Sequence, residues 1–213
     1  MVVIALINGS PKGRGSASNC ILQELKPLLA QDGNRVLEYH FRNPALSPTE
    51  MEEIRDCDVL IFAFPLYVDG IPSHLLSCLV QLERYLAAIP KKEIMVYSIV
   101  NCGFYEGEHN ELAVEMLKNW CIKAGLTWGQ GIGIGAGGML PMLQNVPIGH
   151  GPKKNLGKGL AQLAHNVLER TSGESLFFTA NLPRIVYKLA AEIGWRRSIK
   201  ANGLKRQDLS LRK

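Results

Sequence analysis

The sequence predicts a doubly wound α/β fold, a five-stranded parallel sheet in the order 2-1-3-4-5, with a basic helical extension at the C-terminal end. Two observations carry the prediction. Val2 to Ile7 and Val59 to Phe64 are unbroken apolar runs bounded by turn residues, the habit of strands buried on both faces in parallel sheets. Strand patterns of this kind alternate five times with helical stripes and no internal repeat. Right-handed crossovers then leave few topologies.

The first strand ends at Asn8 and feeds a loop rich in Gly and Ser. A helix follows over Ser18 to Asp32, with apolar residues at 21, 22, 25, 28 and 29 and Gly33 as its stop signal. Pro27 lacks the amide proton a helix interior uses, which predicts a kink or an early end. Arg35 to Phe41 alternates as the second strand, and Ser47 to Arg55 reads as a short helix. Asp58 to Phe64 is the third strand, Pro72 to Ala88 a helix with its proline in the tolerated first turn, and Glu93 to Val100 the fourth strand. Glu108 to Ala124 is a helix, Leu126 to Ile134 a glycine-rich fifth strand, and Lys154 to Arg170 the closing helix. Leu176 to Ala180 suits a short extra strand or a packed segment.

A strand that opens through Gly and Ser into a helix makes an anion cradle, because backbone N–H groups, hydroxyls and the positive helix end converge. Which anion follows from what the loop lacks. Counting from Gly9, Arg14 stands where a Walker loop needs its second Gly, and no Lys follows. Gly13-Arg14-Gly15-Ser16-Ala17-Ser18 has Ser in the third glycine place of a dinucleotide fingerprint, with no acid about twenty positions on. Ser10, Ser16, Ser18 and Asn19 with Lys12 or Arg14 remain, an inventory that fits a phosphomonoester. Ser16 or Ser18 also suits a helix N-cap, but a cap needs only one such residue.

In the 2-1-3-4-5 order the crevice lies at the carboxyl ends of strands one, three and four. The loops there are Phe64-Pro65-Leu66-Tyr67-Val68-Asp69-Gly70-Ile71-Pro72 and Asn101-Cys102-Gly103-Phe104-Tyr105-Glu106-Gly107. Aromatic and aliphatic groups beside backbone donors suit a flat conjugated ring. A phosphate at one end and such a ring at the other is the shape of flavin mononucleotide.

These three stretches, in this order, resemble the flavodoxin-like NAD(P)H-dependent FMN reductases over about residues 2 to 172. The resemblance implies a flavodoxin-like FMN-binding domain over residues 1–172 and an extension over 173–213. It implies that Ser10, Lys12, Ser16, Ser18 and Asn19 hold the FMN phosphate, that Pro65, Leu66, Tyr67 and Val68 border the ring and ribityl chain, and that Asn101, Gly103, Phe104 and Tyr105 contact the ring. NADH or NADPH is then the hydride donor, a quinone, flavin or similar small molecule the acceptor, and no side-chain nucleophile is required. The chain departs from iron–sulfur members of the group, since its five cysteines lie at least 19 residues apart. Cys102 reads as a small buried filler.

Two other classes fit less well. Flavodoxin-type electron carriers typically present an acidic face, whereas this chain is near neutral in its core and basic at its tail. A serine hydrolase with Ser10 as nucleophile needs a late Asp-x-x-His, and the residues three before His150 and His165 are Pro147 and Gln162.

The net charge of +5 is unevenly placed. Nine Lys/Arg against Glu192 and Asp208 give +7 between Pro183 and Lys213, which leaves −2 for the rest. That distribution argues against a nucleic-acid binder. Leu182, Ile185, Val186, Leu189 and Ile193 lie on one face of a helix over Pro183 to Trp195, with the basic segment Arg196 to Lys213 after it. Such a face suits the chain's own core or a second copy in a homo-oligomer, and its charge also suits a membrane surface or an acidic partner. Without a charged segment ahead of an apolar run at the start, or 18 consecutive apolar residues anywhere, the expectation is a cytoplasmic protein. The formal Gly-x-Gly-x-x-Gly at 133, 135 and 138 precedes Pro141 where a helix should open, so its glycines are expected to let the backbone approach the cofactor or a neighbouring subunit closely. Met139 to Lys153 is a long loop at the end of the fifth strand, placed to serve as a lid or as a connector.

Overall fold

The structure, a computed structural model, describes residues 1–31, 33–88, 92–205 and 207–208. The chain divides into two compact units, Met1–Ala180 and Asn181–Lys213.

In the first unit the strands are β1 (Val3–Asn8), β2 (Arg35–His40), β3 (Val59–Pro65), β4 (Met95–Asn101), β5 (Thr127–Ile134) and β6 (Leu176–Phe178). The helices are α1 (Ala17–Leu29), α2 (Pro48–Arg55), α3 (Ser73–Ala87), α4 (Glu111–Lys123) and α5 (Lys154–Leu168). All strand pairings are parallel, in the order β2-β1-β3-β4-β5-β6. The expected five-stranded sheet is thus corrected to six strands, the sixth falling in the Leu176 to Ala180 stretch that suited a short extra strand. Three residues are too few to show a period in sequence, and β6 is held in place by what it meets: a β-carbon at Gly133 of β5 would run into the Phe177 ring. The sheet therefore takes in residues beyond the expected boundary at 172, and the first unit runs to Ala180.

Two apolar cores explain the unbroken runs. Ile4 and Leu6 of β1 join Ile61 and the α1 and α5 residues Ile21, Leu25, Leu160 and Leu163. Ala5 and Ile7 join Phe62, Leu75 and Leu79 of α3, and Leu117 and Trp120 of α4. Successive side chains of one strand thus enter opposite cores, so every position is apolar. Helices on both faces place the switch in strand order between β1 and β3, where a crevice opens.

Local signals set most ends. α2 begins with a capping box, Ser47 Oγ accepting from Glu50 N at 3.2 Å and Ser47 N donating to Glu50 Oε2 at 2.8 Å. Pro27 sits in the last turn of α1, which stops at Leu29, the early end that the missing amide implies. Asp32, where that helix was expected to finish, lies outside the described residues. The glycines of β5 and the one just after it open space for the chain itself: a β-carbon at Gly131 would strike Val114, and one at Gly135, past the strand's end, the Tyr105 carbonyl. Gly131, Gly133 and Gly135 thus admit the chain's own atoms closely, whereas a β-carbon at Gly138 would meet open space.

The second unit contains α6 (Arg184–Ala201), which runs beyond the expected end at Trp195 and buries none of its residues. Arg206 and residues 209–213 of the expected basic segment lie outside the described residues. Among the described residues no helix is long and apolar enough to cross a membrane.

Candidate functional site

The loop after β1 is shaped by Asn8, which is buried at the strand's end. Its Oδ1 accepts from Ser10 N at 3.0 Å and its Nδ2 donates to the Gly13 carbonyl at 3.3 Å. Gly13 has a φ of +64°, a left-handed turn that costs glycine little. The chain then meets α1 at Ser16, the N-cap, whose Oγ accepts from Asn19 N at 3.1 Å and donates to the Gly13 carbonyl at 2.6 Å. The Ser16 hydroxyl is therefore spent on the helix. The amides of Ala17 and Ser18 lie in the first turn, where a helix supplies no acceptor. Ser18 Oγ accepts from Asn101 Nδ2 at 2.8 Å, which leaves its own proton to donate.

The loop after β3 turns back at once. Tyr67 and Gly70 exchange two backbone hydrogen bonds of 3.1 Å, with Val68 at φ 49° and Asp69 at φ 55° between them. Two successive left-handed residues make a type I′ turn. Val68 stands at its tip, fully exposed. The loop after β4 is tied to its neighbours by Cys102 N donating to the Ile134 carbonyl at 3.0 Å and Gly137 N to the Cys102 carbonyl at 2.8 Å. Asn101 Nδ2 also donates to the Phe64 carbonyl at 3.0 Å, which joins all three loops.

Together they enclose a cleft of about 230 Å³. Of the residues singled out in sequence, Ser10, Lys12, Ser16, Ser18, Pro65, Leu66, Tyr67, Asn101 and Gly103 line it. Asn19, Val68, Phe104 and Tyr105 do not. Asn19 faces a neighbouring hollow of about 330 Å³ across the first turn of α1, and Phe104 lies half exposed against His109, ring centroids 4.5 Å apart. Cys102, Gly138 and Pro141, which lie in the ring loop, the glycine run and the long loop singled out in sequence, also line it, whereas sequence reasoning gave Gly15 and Ala17 no part. Ala17 carried a signal, its place in the first turn of the helix; Pro141 carried only its position in a long loop.

That loop is built as a wall. It forms 3-10 turns at Gly137–Met142 and Gly151–Lys153, with Pro141 facing the cleft. It is pinned by Lys153, which is buried, pairs with Glu24 of α1 and donates to the Val146 carbonyl at 2.8 Å. The charge of Lys153 is thus spent inside the protein, whereas Lys12, the cation of the cleft, is exposed.

Burial pushes the Cys102 thiol up, so it stays protonated at neutral pH. Ser10 Oγ accepts from Lys12 N at 3.4 Å, and the nearest histidine contacts run to the Gly9 carbonyl from His74 and to Asn8 from His40. Among the described residues no imidazole reaches Ser10, so the hydrolase arrangement is not assembled. Nor do the described residues contain a group of three His, Cys, Asp or Glu placed to hold a metal ion.

No family model and no curated protein matches the sequence. The structure is nonetheless similar to solved structures over most of its first unit. The NAD(P)H:quinone oxidoreductase of Methanothermobacter marburgensis superposes with a TM-score of 0.57 at 13% identity, covering 78% of this chain and 96% of that one. An FMN-dependent NADH-azoreductase from Bacillus anthracis, solved in complex with FMN, gives 0.54 at 13%, covering 78% and 99%. A WrbA-like flavodoxin protein from Agrobacterium tumefaciens gives 0.51 at 10%, covering 78% and 99%. This is the flavodoxin-like fold. In this flavodoxin-like chain the cleft sits at the carboxyl ends of β1, β3 and β4, at the switch in strand order where open α/β sheets bind ligands.

Proposed function

We propose that the chain is an FMN-dependent NAD(P)H oxidoreductase that passes electrons to a quinone, flavin or similar small acceptor. The observation that carries the reading is the meeting, in one cleft, of a phosphomonoester donor set with an apolar, aromatic wall: Ser10, Lys12, Ser18 and the Ala17 amide on one side, Pro65, Leu66 and Tyr67 on the other. The donor chemistry fits FMN. Hydroxyl and amide donors with one cation match a phosphate dianion, and the half-exposed Tyr67 offers a flat surface at the rim. FMN, when bound, supplies the hydride acceptor and the electron relay.

The chain's own residues bind and orient. Ser18 and the first-turn amides hold the anionic end, Asn101 fixes Ser18 relative to the β3 carbonyl, and Pro65 and Leu66 exclude water from one side of the ligand. Cys102, neutral and buried, adds no charge to the wall. The Tyr67–Gly70 turn at the rim is exposed, so a nicotinamide and then an acceptor have open access.

The test is an absorption spectrum after incubation with FMN and removal of the excess, followed by anaerobic addition of NADH or NADPH in separate cuvettes. Retained flavin bands that bleach with either nucleotide are expected, and the faster one names the donor. Flavin that bleaches only with dithionite makes the chain an electron carrier. Failure to retain flavin removes the proposal.

A further inference from the structure

We infer that the hollow beside the cleft holds an adenylate group, one half of a dinucleotide whose other half occupies the cleft. The boundary between the two spaces is one residue wide. Ser18 and Pro141 face the cleft, while their chain neighbours Asn19 and Leu140 face the hollow. A ligand in the hollow therefore lies beside the anionic end of whatever the cleft holds. At about 330 Å³ the hollow has the size at which small-ligand pockets begin.

Its lining has the chemistry of a nucleotide site. Ile21 of α1, Leu140 of the long loop and Leu156 of α5 bring aliphatic groups from three elements, cover for the faces of a flat base. The side-chain amide of Asn19 makes no hydrogen bond among the described residues, and Gln144 adds a second amide. A primary amide matches adenine, accepting from N6 and donating to N7 at once. Two cations suit the phosphate. Arg14 is exposed and pairs with no acid among the described residues. Lys153 is buried and lines the same hollow; Glu24 meets its charge and the Val146 carbonyl takes a second proton. Its third proton has no acceptor among the described residues. A buried donor left over is costly, and a ligand oxygen would remove that cost. Arg14 and Lys153 against Glu24 give the lining a charge of +1, a match for one phosphate. A free inorganic anion would leave the aliphatic wall and the amides idle, and an apolar molecule would leave the cations idle. Adenylate uses all three.

Two dinucleotides carry adenylate to a flavin site: FAD, joined through the flavin phosphate, and NAD(P)H, the donor. The link to a dinucleotide rests on the flavin reading, whereas the adenylate site itself does not.

The experiment is isothermal titration of 5′-AMP into the full chain without flavin. One site with a dissociation constant below about 1 mM is expected. Arg14→Gln should weaken binding about tenfold by removing a charge-assisted bond to phosphate, and Gln144→Glu should weaken it at least as much by repulsion. Both residues are exposed, so both variants should melt as the wild type does. Lys12→Gln, which takes the cation from the cleft, should leave AMP binding unchanged. Absence of binding overturns the inference, as does binding that Arg14→Gln and Gln144→Glu leave intact. A loss in Lys12→Gln as large as that in Arg14→Gln puts the AMP phosphate in the cleft and overturns it too. Added AMP then names the dinucleotide. Release of bound FAD but not of bound FMN assigns the hollow to FAD, and a raised KM for NAD(P)H with flavin retained assigns it to the donor. AMP that does neither, in a chain that retains flavin, overturns the link to a dinucleotide. A chain that binds AMP as expected but retains no flavin removes the flavin reading and supports the adenylate site.

Discussion

Asn101 Nδ2 donates to Ser18 Oγ at 2.8 Å, joining residues 83 positions apart, and the same amide nitrogen reaches the Phe64 carbonyl at 3.0 Å. One side chain thus couples the ends of β3 and β4 to the first turn of α1. All three partners are buried, so removing the amide takes a hydrogen bond from two buried polar atoms at once. Asn101→Leu should cost about 1–3 kcal/mol in urea unfolding and weaken FMN retention at least tenfold. A variant with wild-type stability and wild-type flavin affinity would show that the three loops hold their places without this brace.

Ser16 and Ser18 stand two residues apart and do different work. Ser16 Oγ caps α1 by accepting from Asn19 N and has its proton committed to the Gly13 carbonyl, whereas Ser18 Oγ has a proton left for a ligand. Ser16→Ala should therefore lower stability by about 1 kcal/mol with a smaller effect on FMN affinity per unit of stability lost. Ser18→Ala should do the reverse, several-fold on affinity and little on melting. Equal effects of the two substitutions on affinity would mean that the hydroxyls share one role.

This division also shows where sequence reading stops. The period of the apolar runs and the Gly/Ser loop located the sheet, its switch point and the loop that lines the cleft after β1, because those depend on patterns local to each segment. They could not say which serine caps, since that depends on where the chain turns at Gly13. Asn101 was expected against a ring; it lines the cleft and also braces the loops, a contact that rests on the register of β3 with β4. Phe104 and Tyr105 sat in the right loop, yet the backbone bond from Ala136 N to the Phe104 carbonyl at 2.5 Å turns that loop toward β5. β6 was too short to have a period at all.

Val68 is β-branched and holds φ 49° at the tip of the Tyr67–Gly70 turn, a conformation that costs such a residue about 1–2 kcal/mol. Its side chain is fully exposed, so no packing offsets the strain. Asn adopts this conformation readily, and Val68→Asn should raise stability by about 1 kcal/mol in urea unfolding. If the variant is no more stable, the turn relaxes at no cost and the valine is unstrained. Should stability rise while NAD(P)H turnover falls, the strained tip contributes to function, in the way strained residues gather at ligand sites.

Asp58 ties the start of β1 to the start of β3. Its Oδ2 accepts from Val3 N at 2.8 Å and its Oδ1 pairs with Lys92 at 3.1 Å, with the side chain 25% exposed. Burial acts to raise its pKa, but the Val3 amide and the Lys92 ammonium outweigh it and hold the carboxyl below the usual carboxylate range. A folded pKa below the unfolded one means that folding favours the ionised form. The stabilisation is therefore complete above the unfolded value of about 3.9 and is lost as pH falls through the folded value. Asp58→Asn keeps an acceptor for Val3 N but no charge for Lys92, so at pH 7 it should cost about 1 kcal/mol. Urea midpoints of the two proteins should converge as pH drops from 5 to 3. A gap that stays constant over that range would assign the cost of the substitution to packing and not to the carboxylate.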